Sequence, residues 1–236
     1  MVNILHKIAS FNKTNKTITD VCKKYNSHIL GVDHIAFRSL YKDMNKIDKS
    51  IYKKKDQIYN FPEYNVKANE YYKIDKETNK EYPLRVFSSY YAGEHHYSSR
   101  ISKMIHLLKT NEFGEIYSYN DYLQIYNWNQ YMAWTMIHKD AINHIAFQVY
   151  DLEGVTNTMI NDGYVLSKSN GNILNISPDG DLLQTSHDSI KTLYKFTDGH
   201  YNVPYTFLEF VERQNGREGF SESNANQIMH STLNFE

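Results

Sequence analysis

Two histidines and one glutamate stand out in this 236-residue chain because each interrupts an apolar run. His34 lies in VDHIAFRSL (32–40), His144 in INHIAFQVY (142–150) and Glu209 in YTFLEFVER (205–213). Short runs rich in Ile, Val, Phe and Tyr read as strands. Side chains on a strand alternate between faces. His34, Ala36 and Arg38 therefore share one face of the first run, and Asp33, Ile35 and Phe37 the other. His144, Ala146 and Gln148 form the matching set in the second run. In the third, Phe207, Glu209, Val211 and Arg213 lie together, with Leu208 and Phe210 opposite. The two alanines leave room beside each histidine. An ionised carboxylate among apolar neighbours is costly unless it is paired or bound to a metal. Two imidazoles and a carboxylate are the donors of the 2-His-1-carboxylate facial triad, which suits Fe(II) and leaves coordination positions open. Taken singly, a strand histidine is more often a hydrogen-bonded core residue, and a strand glutamate more often the partner of an arginine. The repeated HIAF weighs against that reading. A duplicated unit folded on itself brings its equivalent strands together, so His34 and His144 would face one another across a shared cleft.

The elements that must position these residues follow from periodicity. Residues 2–26 carry Ile4, Leu5, Ile8 and Phe11, then Ile18, Val21 and Cys22, at helical spacing. Residues 43–60 also read as helical, with YKKKD (52–56) as a solvated loop or helix end. Residues 69–75 and 83–91 read as strands and 97–110 as a helix. The stretch 117–134 is aromatic-rich, either helical or irregular. Its Tyr117, Tyr119, Tyr122, Tyr126, Trp128 and Trp134 suit core and pocket wall better than a cofactor box. After the second HIAF run, Asp151 stands at an N-cap position and Gly163 near the helix end. YVLSKS and GNILNIS read as strands joined by a turn at Asn170-Gly171. Further strands are expected in SPDGDLLQTS, KTLYKFTDG and VPYTFLEFVER. The order strand, helix, several strands is a βαβββ unit, with a looser version in the first half. This predicts an α+β fold with a largely antiparallel sheet and a degenerate internal duplication. No Pro/Gly/Ser-rich linker divides the chain, so residues 1–236 are expected to form a single domain.

Composition narrows the partners. Apolar residues make up 41%, enough for a core, and the net charge of −1 gives no reason to expect a nucleic acid. Cys22 is the only cysteine, which excludes an intrachain disulfide and a Cys-rich zinc site. The start of the chain is not patterned as a signal peptide, and no apolar run approaches the roughly 18–20 residues that span a bilayer. A cytoplasmic protein with no membrane partner is expected; a homo-oligomer is left open.

The duplicated strand histidine with a late strand glutamate resembles the vicinal oxygen chelate superfamily. More closely, the chain resembles the DUF1338 family, the 2-oxoadipate dioxygenase/decarboxylase type. The resemblance is carried by DHIAFRSL (33–40), PLRVFSSYY (83–91), INHIAFQVYDLEGV (142–155) and SPDGDLLQTS (177–186). It continues through FTDGHYNVPYTFLEFVER (196–213) and REGFSESNANQIMHST (217–232). It implies a strongly bent sheet around a metal centre, with helices outside. It implies His34, His144 and Glu209 as metal ligands and Arg38 as the arginine that engages a substrate carboxylate. A structural salt bridge of Arg38 with Glu209 or Asp33 is the competing reading. Gln184 and Ser186, and also Ser88 and Ser89, are candidates for the pocket lining. Ser223 and Asn224 are candidate substrate contacts in a segment that closes the pocket. His200 is a reserve ligand, whereas His95 and His96 suit a surface loop. The implied activity is an Fe(II)-dependent dioxygenase/decarboxylase of a small 2-oxo acid, of the type that turns 2-oxoadipate into 2-hydroxyglutarate with O₂. Zn, Ni or Mn could occupy the same ligands in purified protein. The alternatives are a metal-dependent lyase or isomerase that does not use O₂, and a non-catalytic small-molecule binding protein. The second has no need of two histidines and a glutamate aimed at one cavity.

Overall fold

A computed structural model describes residues 19–39, 52–74, 77–78, 81–93, 119–138, 141–163, 168–169, 172–173, 175–176, 182–187, 193–195, 201–204 and 207–216. Eight strands form one open, mixed sheet in the order β2-β3-β4-β1-β5-β12-β9-β8. They are β1 (Ile29–Ser39), β2 (Tyr52–Phe61), β3 (Val66–Ile74), β4 (Glu81–Tyr91), β5 (Ala141–Val149), β8 (Asn175–Ile176), β9 (Leu182–His187) and β12 (Phe207–Arg213). The short pairs β6 (Lys168–Ser169) with β7 (Asn172–Ile173), and β10 (Leu193–Lys195) with β11 (Tyr201–Pro204), stand apart from it. Within the large sheet β1 runs parallel to β4 and β5 parallel to β12, and the other pairings are antiparallel.

The sequence duplication is written into this order. The two HIAF strands, β1 and β5, are central neighbours, and His34 pairs with Ala146 while Ala36 pairs with His144. Outward from them, β4 corresponds to β12, β3 to β9 and β2 to β8. A pseudo-two-fold axis therefore passes between β1 and β5. Each half contributes one histidine next to that axis.

Alternation assigns the two faces of the sheet. Phe147 and Val149 of β5 and Leu208 and Phe210 of β12 are buried with Leu152, Val155 and Met159 of helix α3 (Leu152–Asn161). Val21 and Tyr25, in and just after a helical stretch at 19–24, close this core. Burial of each such large side chain contributes roughly 1.5–3 kcal/mol, which holds this face of β5 and β12 against α3. His144, Ala146 and Glu209 consequently face the other way. The α3 ends agree with expectation: Asp151 accepts a hydrogen bond from the Gly154 amide at 2.9 Å, and Gly163 adopts φ 78°. The aromatic stretch resolves into helices α1 (Tyr119–Trp128) and α2 (Gln130–His138). Tyr122, Tyr131 and Trp134 are buried, whereas Trp128 is exposed.

Two expectations need correction. Residues 52–60 are not helical but belong to the edge strand β2, paired antiparallel with β3. Lys53 and Lys54 are exposed while Tyr59 and Phe61 are buried, so the lysines guard an open sheet edge. The strict alternation assumed for β1 also fails at Asp33. From Val32 to His34 β1 advances two residues while β5 advances one, from Phe147 to Ala146. Between His144 and Ile142 the imbalance is reversed, against Ala36 and Phe37. Asp33 and Asn143 are thus the extra residues of two β-bulges, related by the pseudo-two-fold axis. A bulge re-aims the side chain it carries. The helices expected at 43–51 and 97–110, and the turn at Asn170-Gly171, lie outside the described residues.

Candidate metal centre

The three residues that interrupt apolar strands converge. One donor atom each from His34, His144 and Glu209 lies within 4.8 Å of the other two, and all three residues are buried. The Nε2 atoms of His34 and His144 face each other at 3.0 Å. Glu209 Oε1 is 3.3 Å from His34 Nε2, and Oε2 is 3.7 Å from His144 Nε2. Glu209 is 0% exposed, and neither of its oxygens has a hydrogen-bond partner among the described residues. An orphaned buried carboxylate costs several kcal/mol unless a cation compensates it. Two nitrogen donors each about 2.1 Å from one ion, at a right angle, would be about 3.0 Å apart. The donor set and its spacing therefore fit a divalent ion.

Each bulge orients one ring. Asp33 Oδ1 lies 2.7 Å from His34 Nδ1, and Asn143 Oδ1 lies 3.0 Å from His144 Nδ1. An oxygen there accepts a hydrogen bond from Nδ1–H, which leaves the Nε2 lone pair directed toward the centre. Asp33 is held in turn by Arg213, whose Nε donates to Oδ2 at 2.8 Å and whose Nη2 donates to Oδ1 at 2.6 Å. β12 thus supplies Glu209 to the centre and, four residues on, the arginine that braces the opposite histidine.

The electrostatics favour positive charge at the centre. Burial lowers the His144 pKa to about 3 and keeps that ring neutral. Burial alone would raise the Glu209 pKa, but the facing rings of His144 and His34 hold it below the ordinary value. Burial also opposes protonation of His34, yet its contacts with Asp33 and Glu209 outweigh this and raise its pKa. For Asp33 the burial penalty is overcome by Arg213 and His34, and its pKa is lowered.

Arg38 lies beyond His34 on β1 and is buried, with its guanidinium carbon 5.5 Å from the Tyr131 ring and 5.3 Å from the Trp134 ring. Burial lowers its pKa to about 10, so it remains a cation at neutral pH. The competing salt bridge does not form with Asp33, whose arginine partner is Arg213. Tyr131 is itself fixed: its hydroxyl donates to Ser89 Oγ at 3.0 Å and accepts from the Ser39 amide at 3.2 Å. Ser89 pairs in register with Arg38, and its hydroxyl donates to the Phe37 carbonyl at 3.0 Å. Ser88 is fully buried on the same strand. Ser186 and Gln184 lie on β9 at the register positions of Glu209 and Val211. His95, His96, His200, Ser223 and Asn224 lie outside the described residues.

Asp33, read from the sequence only as a possible partner of Arg38, and Asn143, Arg213 and Tyr131 have roles here that the sequence did not assign. A signal for the first two was present. Both HIAF runs are preceded by a residue with a short side-chain carbonyl oxygen, Asp33 or Asn143.

Two halves of mirrored strand order that share a buried His₂Glu cluster across their central strands define a vicinal-oxygen-chelate-like fold. Solved structures agree on the fold. The rice (Oryza sativa) hydroxyglutarate synthase, solved in complex with 2-oxoadipate, matches with TM-score 0.74 at 24% identity, over 99% of this chain and 90% of that one. A protein from Ralstonia eutropha JMP134 assigned to the glyoxalase superfamily matches with TM-score 0.63 at 16% identity, over 86% and 78% of the two chains. The model of the HGLS family, 2-oxoadipate dioxygenase/decarboxylase, matches residues 92–219, and the chain belongs to this family. The chloroplastic 2-oxoadipate dioxygenase/decarboxylase of Arabidopsis thaliana is 29% identical over 43% of this chain and 33% of its own length. The chain thus spans about a third of the length of the curated relatives it matches.

Proposed function

We propose that this protein is a metal-dependent dioxygenase/decarboxylase of a small 2-oxo acid, with Fe(II) as the working ion and O₂ as the second reactant. The observation that carries the reading is the buried, orphaned Glu209 carboxylate facing two oriented imidazole nitrogens, in a chain of the 2-oxoadipate dioxygenase/decarboxylase family. His34, His144 and Glu209 would hold the ion. Bound there, a divalent iron supplies a chelation point for a 2-oxo-carboxylate and an open position at which O₂ can react. A substrate of the 2-oxoadipate type, carrying its own 2-oxo acid, needs no separate co-substrate.

The chain's own groups have separable tasks. Asp33 and Asn143 accept hydrogen bonds that hold the protons on Nδ1, so both Nε2 atoms stay available as donors. Ala36 and Ala146 place small side chains in register with His144 and His34. Arg38 would grip the substrate's far carboxylate through a charge-assisted hydrogen bond. Four strand residues span about 13 Å, and both long side chains reach over the same face, so one small diacid can bridge the ion and Arg38. The Tyr131 and Trp134 rings limit where that guanidinium can go and keep it out of water. Gln184 and Ser186 on β9, and Ser223 and Asn224 near the end of the chain, are proposed as further substrate contacts. Cys22 as the sole cysteine supports a reducing, cytoplasmic setting. Among the described residues no helix is long and apolar enough to cross a membrane.

The decisive test is anaerobic loading with Fe(II), followed by O₂ uptake and CO₂ release across a panel of 2-oxo acids. Substrate-stimulated consumption of O₂ is expected, strongest with dicarboxylic members. Its absence across the panel would rule out the dioxygenase reading. In parallel, Glu209→Ala should weaken Fe(II) binding by more than the roughly 10–100-fold that outer-shell partners control. Undiminished binding would show that the triad is not the metal site.

A further inference from the structure

The pseudo-two-fold axis relates the strand pairs on either side of it, and it gives Glu209 a counterpart. On β12 Glu209 pairs with Ala146 of β5. On β4 Phe87 pairs with Ala36 of β1. Ala36 and Ala146 are the same position of the repeated HIAF, and the pairings of β1 with β4 and β5 with β12 are both parallel. Phe87 is therefore the first half's version of Glu209. The contacts agree with that equivalence. The Phe87 ring meets His34 edge-to-face, with centroids 5.0 Å apart and planes at 80°. Behind it lies the Tyr59 ring at 5.7 Å, whose hydroxyl donates to Glu70 at 3.2 Å. Phe87 is 9% exposed, so the position is filled by a ring and closed to bulk water.

We infer that Phe87 stands in the place of a fourth ligand, and that a phenyl ring there is what keeps the centre at three protein donors. The inference rests on the metal reading above. A phenyl ring has no lone pair to offer an ion. A carboxylate in the same place would approach the two imidazoles as Glu209 does from the other half. Its second negative charge would neutralise a dication completely and tighten its hold. The consequence is for reaction class. With three protein donors an octahedral ion keeps three positions, two for a chelating 2-oxo acid and one for a second reactant. With four donors a chelating substrate uses every remaining position, which suits proton-transfer or isomerisation chemistry that needs no second reactant. Phe87 is on this argument a specificity-determining residue that acts through the count of open positions.

The test compares the parent with Phe87→Glu, Phe87→His and Phe87→Leu. Co(II) affinity is read by competition with a chelator, and the open positions by water-proton relaxation on bound Mn(II). Phe87→Glu should tighten Co(II) by at least about tenfold, the smallest effect expected of an outer-shell partner. It should also lower the relaxation enhancement by about a third, as three exchangeable positions become two. Phe87→His should shift both in the same direction, and it carries the test if the buried glutamate prevents folding. Phe87→Leu, which removes the ring without offering a donor, should give neither effect. If folded Phe87→Glu or Phe87→His binds Co(II) no more tightly than the parent, with the same relaxation, the inference is overturned while the metal reading stands. If the parent itself binds Co(II) no better than Glu209→Ala, the metal reading falls and takes the inference with it.

Discussion

At the scale of single residues, most of the chemistry follows from which groups are buried without water to solvate them. Asp33 and Arg213 form a bidentate ion pair with each side chain only 7% exposed. Removing one partner leaves the other as an uncompensated buried charge, at a cost of about 3–5 kcal/mol. Asp33→Ala should therefore lower stability by that amount in denaturant titration and also weaken metal binding about 10–100-fold. Asp33→Asn keeps an oxygen for His34, as Asn143 does for His144, and should retain much more of the metal affinity. A stability loss no larger than that of a surface substitution would count against the bracing role of the pair. Arg38 makes a different prediction, because its proposed partner is the substrate. Losing a hydrogen bond to a charged group costs about 1.5–3 kcal/mol, so Arg38→Ala should raise KM for dicarboxylic 2-oxo acids about 10- to 100-fold. Monocarboxylic 2-oxo acids should be affected far less, and an equal effect on both classes would argue against carboxylate recognition.

At the scale of elements, the helical stretch at 19–24 is tied to the end of α3 by one carboxylate. Asp162 Oδ2 is 2.8 Å from Lys24 Nζ and accepts from the Tyr25 hydroxyl at 2.7 Å. The hydrogen bonds from Lys24 and Tyr25 lower its pKa. A depressed folded pKa contributes stability above the unfolded value of about 3.9, and that stability is lost as pH falls through the folded pKa. The melting temperature of the parent should thus exceed that of Asp162→Asn at pH 6, with the gap closing as pH falls below about 4. A gap that stays constant with pH would mean the carboxylate charge is not what ties these elements. The β-bulges belong to this scale as well. Each adds one residue to a central strand, and without that insertion Asp33 and Asn143 would point away from the rings they orient.

At the scale of the whole molecule, the centre joins the two halves of the sheet. His34 comes from the first half, and His144 and Glu209 from the second. A bound ion would therefore stabilise the assembly of the halves as well as one strand. Ligand at 100 times its dissociation constant adds about 2.7 kcal/mol. For a chain of this size that is roughly 5–10 °C in Tm. Adding Fe(II) under anaerobic conditions, or Co(II), should raise Tm by this amount, and a chelator should reverse it. His34→Ala, which removes the first half's only donor to the cluster among the described residues, should abolish the shift. An undiminished shift in that variant would place the metal elsewhere.

The sequence by itself determined which residues could do chemistry and how the chain is built. The cluster of His34, His144 and Glu209 was legible because a polar group inside an apolar strand is expensive and therefore conspicuous. The repeated HIAF and the Asp151-to-Gly163 helix were legible because period, caps and glycine conformation are local properties. The tertiary structure alone decided the rest. Residues 52–60 read as helical because they continue the amphipathic run at 43–52, and only pairing with β3 makes them a strand, because strand structure depends on a neighbour supplied by another part of the chain. The bulges at Asp33 and Asn143 invert a one-residue alternation that no periodicity argument can see, because a bulge is defined by the mismatch between two strands. Arg213 reaches Asp33 across 180 residues of sequence. The correspondence of Phe87 with Glu209 exists only through the register of two parallel strand pairs. Donors and duplication are properties of residues and their order. Orientation, bracing and the number of donors around the centre are properties of register, and register is fixed only when the sheet closes on its partners.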